Sequence, residues 1–320
     1  MIGRGRRLAA CLALAIAFVC AIPLAAQDVS LRYQWKKGDT LRYRWTAQTN
    51  VTMSGIPGLG DMTVTTTLVQ VVKMAVDDVA ADGTATLRAT FESAKMEMGT
   101  PMGSLKYDSA APAAPTGDPM TDTLATAMKA LIGASVTLTV TPTGQVPKLQ
   151  GMEELAAKLK QAIGPDAALA GFDAIFSNEA MIASFGQNFA AVPDKPVKAG
   201  DAWKSELKLT NPMAPMVSSM TYTLKAIENT GGAQIARIST TSVIKPAGPG
   251  KPNAAMPTMK IDVGTGNGDG EVIFDARLGR LRKATFNTTT PMVMSMDAPD
   301  GSALSMQSTT KSVVTIELID

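Results

Sequence analysis

Val29-Ser30-Leu31-Arg32-Tyr33-Gln34-Trp35-Lys36, the turn Lys37-Gly38-Asp39, and Leu41-Arg42-Tyr43-Arg44-Trp45-Thr46-Ala47-Gln48 together decide the fold class. In each half, apolar and polar residues alternate without a break. Side chains of an extended strand point to opposite faces with period two, so each half presents one dry face, carrying the aromatics, and one wet face. With a Gly-Asp turn between them, the two halves read as an antiparallel hairpin.

Further strands are expected over residues 63–77 and 84–98, separated by Asp77-Asp78 and Asp82-Gly83 turn chemistry. The Gly/Pro stretch Ser54 to Asp61 reads as a loop, and residues 99–117, rich in Pro, Ala and Gly, as a long connection. The period then changes. Asp118 can cap a helix with Pro119 at its first position and Leu124, Met128, Leu131 and Ile132 as its apolar stripe. A strand through Val136, Leu138 and Val140 turns at Pro142-Thr143-Gly144. A second helix follows with Met152, Leu155, Leu159 and Ile163 on one face, Glu153 and Glu154 at its positive end, and Gly164 to stop it. Asp166 and Asn178 are expected to cap two shorter helices bearing Leu169, Phe172 and Phe176, then Met181, Phe185 and Phe189. Strands resume over 202–209, 217–228, 233–244, 259–275, 280–296 and 303–319. The fold class is therefore α+β: a predominantly antiparallel sheet, curved or a half-barrel, with helices in the middle of the chain. One domain covers 27–320, with β blocks at 27–98 and 193–320 flanking the linker and helices of 99–192.

The two blocks share signals. Lys36-Lys37-Gly38-Asp39-Thr40-Leu41 resembles Lys198-Ala199-Gly200-Asp201-Ala202-Trp203, and Val140 to Lys148 parallels Phe274 to Lys283 as strand, glycine turn and basic return. Gly38 and Gly200 suit a positive φ, and Asp39 and Asp201 suit capping of turn amides, so these four residues read as structural turns.

The first 26 residues are expected to be a secretory leader. Arg4, Arg6 and Arg7 form a basic start, Leu8 to Ile22 an apolar run, and Leu24-Ala25-Ala26 a cleavage site after Ala26. The apolar run is shorter than the roughly 20 residues of a bilayer span. Lipidation at Cys20 is disfavoured by the bulky residues before it, and the surroundings of Arg6-Arg7 do not suit a twin-arginine signal. Three of the 30 basic residues leave with the leader and none of the 28 acidic ones does, so the mature net charge is −1. No basic run favours nucleic acid. Both cysteines, Cys11 and Cys20, lie in the leader, which leaves the mature chain without thiols. The expected location is the periplasm or outside the cell.

A Lys-x-Gly-Asp turn near the mature start, Pro-x-x-x-Val-x-x-Gly-Asp-x-Trp over Pro193 to Trp203, and Gly-x-x-x-Phe-Asp over Gly270 to Asp275 resemble an uncharacterised exported bacterial family known only as a domain of unknown function. The resemblance spans nearly all of the mature chain. It implies an envelope location and no particular chemistry.

Catalytic signals are sparse. There is no histidine, the usual general base and the commonest metal ligand. Asp39, Asp201, Asp262, Asp269, Glu271 and Asp275 could support a carboxylate-dependent hydrolase only if they converge, and Asp39, Asp201 and Asp275 fall at turns. Gly264-Thr265-Gly266-Asn267-Gly268-Asp269-Gly270 leads into a strand rather than a helix, so it cannot cradle a pyrophosphate. It also lacks the first and twelfth carboxylates of a calcium loop. A glycine-kinked strand or bulge fits it better.

Methionine is abundant, at 20 residues, and Met292, Met294 and Met296 share one strand face. Thioether capture of copper would be a stronger reading with a histidine beside it, so packing or lining an apolar cavity is preferred. The functional expectation is a non-catalytic module without cofactor or metal. It would bind an apolar molecule such as a lipid in a cavity lined by Trp45, Trp203, Phe274, Met292, Met294 and Met296. The alternative is a structural or protein-interaction domain of the envelope.

Overall fold

The computed structural model describes residues 28–55, 60–101, 103–111, 117–164, 181–182, 185–186, 189–209, 215–248, 259–297 and 303–320. The expected leader with Cys20 and Ala26, and the expected helix residues Asp166, Leu169, Phe172, Phe176 and Asn178, lie outside them. The elements run β1 (Thr40–Ser54), β2 (Met62–Val79), β3 (Ala85–Thr100), β4 (Gly103–Asp108), α1 (Pro119–Leu131), β5 (Ser135–Val140), β6 (Lys148–Gln150) and α2 (Met152–Ile163). They continue with β7 (Ala202–Leu209), β8 (Met216–Thr230), β9 (Ala233–Pro246), β10 (Met259–Val263), β11 (Gly266–Asp275), β12 (Arg280–Asp297) and β13 (Ala303–Leu318). All strand pairs are antiparallel, in one sheet ordered β6-β5-β3-β2-β1-β13-β12-β11-β9-β8-β7, with β4 added to β3 and β10 to β12. Among the described residues the sheet is open, ending at β6 and β7. No helix among them is long and apolar enough to cross a membrane.

The opening stretch folds differently from the expected hairpin. Val29, Leu31 and Tyr33 are buried as their alternation requires, but this segment does not pair with β1, whose neighbours are β2 and β13. It is extended and lies off the sheet. Val29 forms a bridge to Val197, the Tyr33 amide donates to Pro142 O (2.8 Å), and the Gln34 amide donates to Gly279 O (3.0 Å). Alternation reports which side of a strand is covered, not which strand lies beside it. Two further corrections concern the sheet. The 259–275 stretch is two strands, β10 and β11, and β4 forms inside the expected 99–117 connection.

The two blocks repeat the same backbone geometry. Gly38 N donates to Val76 O, and Val76 N donates to Asp39 O, each at 2.9 Å. Gly200 N donates to Leu224 O (2.7 Å), and Leu224 N donates to Asp201 O (2.9 Å). Gly38 and Gly200 have φ of 89° and 96°, a left-handed conformation that a side chain with Cβ strongly resists. Each partner strand then bulges, after Val76 in β2 and after Leu224 in β8. Beyond the bulges, Val76 pairs Leu87 and Leu87 pairs Leu138, while Leu224 pairs Ile238 and Ile238 pairs Val272. All six are buried. The N-terminal segment donates to carbonyls in the equivalent turns after β5 and β11, so it ties the two blocks together.

These buried rungs form the core with Tyr33, Tyr43, Phe274 and Leu281, and α2 adds Leu155 and Leu159. The one fully buried carboxylate among the described residues, Asp275, accepts hydrogen bonds from Arg282 (Nη2, 2.7 Å) and from the Leu278 amide (2.9 Å). A charge removed from water must be paired in this way, and the pairing shapes the β11–β12 turn.

Candidate functional site

Register defines what the inner face of the sheet presents away from the core. One rung runs Trp203, Tyr222, Thr240, Gly270, Phe286, Val314, Ala47, Leu68. The next runs Ser205, Met220, Ser242, Gly268, Thr288, Ser312, Thr49, Thr66. Hydroxyls thus replace aliphatic side chains on the same face within two residues of the core, as in β9, where Ile238 gives way to Thr240 and Ser242.

Gly266, Gly268 and Gly270 all lie on this face of β11. Their backbone is ordinary, with no positive φ, but there is no room for a Cβ. At Gly270 it would sit 2.2 Å from Thr285 O, and at Gly268 2.4 Å from Asn287 O. The expected kink is thus a strand whose glycines let neighbouring backbones close in on the inner side, which is how a sheet curls. The register shift of β11 comes later, between Ile273 and Phe274.

Curling creates a cavity of about 370 Å³. Its floor is Leu207, Met220, Tyr222, Ile244, Phe286 and Val314 with Ser205, Ser218, Thr240, Ser242, Thr288 and Ser312 between them. Its roof is Ile182, Gly186, Phe189 and Ala191 with Gly144 to Val146. Residues 181–182 and 185–186 are helical. The roof is pinned at several points. Trp203 Nε1 donates to Ala191 O (2.8 Å), the Ala191 amide to Tyr222 Oη (3.4 Å), Tyr33 Oη to Ala190 O (3.3 Å), and the Val192 amide to Thr143 O (3.2 Å). Phe185 anchors it from behind, edge-on to Trp45 with ring centres 5.7 Å apart.

Among the described residues no charged side chain is directed into the cavity. Asp269 and Glu206 touch it, but strand alternation directs their side chains to the outer face. There Asp269 accepts from Asn287 Nδ2 (3.0 Å) and Glu206 from Ser219 Oγ (3.2 Å). Among the described residues no Lys or Arg lines it. Burial pushes the Tyr222 phenol up to about 12, so it stays protonated at neutral pH. Such a site can hold apolar surface and exchange neutral hydrogen bonds.

The residues expected to line the cavity lie elsewhere. Trp203 stacks on Tyr222 (5.6 Å) beside the cavity and Trp45 backs the roof. Phe274 is fully buried, edge-on to Tyr33 at 5.1 Å. Met292, Met294 and Met296 share the inner face but lie beyond the cavity, where Met296 is exposed. The carboxylates do not converge. Asp39 pairs with Arg280, Asp201 accepts from the Lys198 amide (3.0 Å), Glu271 faces Arg237 (3.5 Å), Asp275 is taken by Arg282, and Asp262 is exposed. Among the described residues no three His, Cys, Asp or Glu side chains are grouped to hold a metal. The hydroxyl rung escaped sequence reading because Ser and Thr look like a wet face. The usable signal was their parity, which matches that of the core residues on the same strands.

Residues 82–280 match a family described as "Family of unknown function (DUF6263)". No curated protein matches the chain. Among solved structures, lipovitellin, titled for its lipid–protein interactions, is similar at 9% identity and a TM-score of 0.45, covering 90% of this chain and 26% of that one. The chain thus spans about a quarter of that structure's length. The COG4313 outer membrane channel from Pseudomonas putida F1 aligns at 6% identity and a TM-score of 0.25, covering 90% and 97%. A DUF1329 family protein from Desulfovibrio piger aligns at 10% identity and a TM-score of 0.12, covering 88% and 87%. At TM-scores this low, none of the three carries an argument about this chain.

Proposed function

The chain belongs to the DUF6263 family, a family of unknown function, and we propose that it is an exported, non-catalytic module that binds a neutral, largely apolar small molecule. The observation that supports this reading is the roofed cavity of about 370 Å³, within the usual size range of ligand pockets, with an apolar and hydroxyl-bearing lining and no ionised side chain turned inward. Neutral lining selects against free fatty acids and phosphates, whose charge would be desolvated without a partner. It suits an acyl or ring system bearing hydroxyl, ester or amide groups. Export rests on the leader-like first 26 residues.

Native mass spectrometry of the protein purified from the envelope fraction of a bacterial host tests both parts. The expected result is an N-terminus at Gln27 and a bound neutral species, extractable into organic solvent and displaced when Ser242→Phe fills the cavity. An unprocessed N-terminus would overturn export. A clean apo mass, together with no uptake of an uncharged apolar fluorophore, would overturn the binding reading.

A further inference from the structure

A second cluster lies outside the cavity, toward the far end of the same sheet face. Register sets Met292 of β12 opposite Ser308 of β13, Ser308 opposite Met53 of β1, and Met53 opposite Met62 of β2. One rung further out, Met294 faces Met306. Directly opposed residues have Cβ atoms about 4.5–5.5 Å apart, and residues two apart on a strand share a face. Met292, Met53 and Met306 therefore surround Ser308 on three sides, with Met294 beside Met306. Ser308 is only 6% exposed, whereas the methionines around it are half-buried. The short side chain lies at the bottom of a notch walled by thioethers.

We propose that this ring of thioethers is a binding site for a soft monovalent cation, copper(I), for which silver(I) is a redox-inert probe. Thioether sulfur is a soft ligand that selects copper(I) over the harder divalent ions. Met is unbranched and flexible enough for neighbouring sulfurs to converge on one ion. Apolar packing alone would be served as well by Leu, with better-defined rotamers, yet sulfur recurs at five adjoining positions drawn from four strands. Copper found little support in the sequence for want of a histidine beside Met292, Met294 and Met296; register adds Met53, Met62 and Met306 from three other strands. The site is independent of the cavity and of whatever the cavity binds.

Silver(I) titration of the mature protein, followed by native mass spectrometry and calorimetry, tests it. The expected result is one ion per chain. Affinity should be flat between about pH 5 and pH 8, because thioethers, unlike imidazole or thiol, do not titrate there. Copper(I) kept reduced with ascorbate should compete, and zinc(II) should not. Met53→Leu/Met292→Leu/Met306→Leu keeps the face apolar and should weaken binding at least about tenfold with unchanged circular dichroism. If the triple variant does not fold, Met306→Leu alone should still weaken it, and bound silver should protect these methionines from peroxide in peptide mapping. No stoichiometric binding, or binding as tight in the Leu variants, would overturn the proposal.

Discussion

On β12, Leu281 and Ala284 at one end are almost inaccessible, at 2% and 0% exposed, while Met296 at the other end of the same inner face is 38% exposed. A register shift beyond Leu281 keeps it on the face of Ala284 and Met296; what differs between the ends is the cover. Over the first end lies the N-terminal segment, whose Tyr33 meets Phe274, the neighbour of Leu281 in the sheet. Over the middle lies the roof, separated from the hydroxyl rung by the cavity. One strand thus serves stability at one end and leaves surface available for binding at the other. The closed end should therefore respond to mutation as a core, and the open end as a surface.

The sharpest way to break this contrast is Phe274→Ala. A fully buried aromatic with edge-on contact to Tyr33 should cost about 3–5 kcal/mol on truncation. Met296→Ala, on the same face at the exposed end, should stay within about 0.5 kcal/mol. Equal losses in urea denaturation would show the two ends to be packed alike.

Alkaline pH probes the closed end and the cavity wall together. Burial raises the phenols of Tyr33, Tyr43 and Tyr222, the last to about 12. A raised folded value means that the native state holds the proton more tightly. The stabilisation is complete below the unfolded value, near 10, and is lost as pH rises through the folded one. For Tyr222 alone the loss is on the order of 2–3 kcal/mol. Stability measured from pH 8 to 12 should be flat to about 10 and then fall, and Tyr222→Phe should remove part of that fall. A curve unchanged by Tyr222→Phe would contradict this account.

Gly270→Val tests whether the curl depends on missing Cβ atoms. With Thr285 O at 2.2 Å, the neighbouring backbone must move, at a cost of about 1–3 kcal/mol. Ligand uptake should fall with it, because the curl shapes the cavity. Stability or uptake left at wild-type levels would separate the glycines from the curvature.

The smallest expected effects compare the two Gly-Asp turns. Gly38→Val and Gly200→Val should each cost about 1 kcal/mol or more, since both positions need a positive φ. Asp201→Asn should be milder than Asp39→Asn. Asp201 caps its own turn at the Lys198 amide, whereas the Asp39 carboxylate carries the half-buried pairing to Arg280 in the other block. Equal losses from the two Asn variants, read as shifts in melting temperature, would mean that the inter-block pair contributes nothing.

The sequence by itself determined the strand-rich class, the two central helices, both Gly-Asp turns and the inward faces of β1 and β5. These depend on neighbours within a few residues, through side-chain alternation, turn chemistry and capping. It also placed Asp39, Asp201 and Asp275 at turns, and the structure gives each a partner of its own. Only the tertiary structure decided that Val29 to Lys36 lies off the sheet, because burial of one face is satisfied equally by a paired strand and by a crossing one. Only it could show the cavity, since Leu207, Thr240, Phe286 and Val314 come from four strands and meet through the curl of β11. The thioether ring has the same origin: Met53, Met292 and Met306 are brought together by the register of β1, β12 and β13, and register between distant strands is a property of the whole sheet.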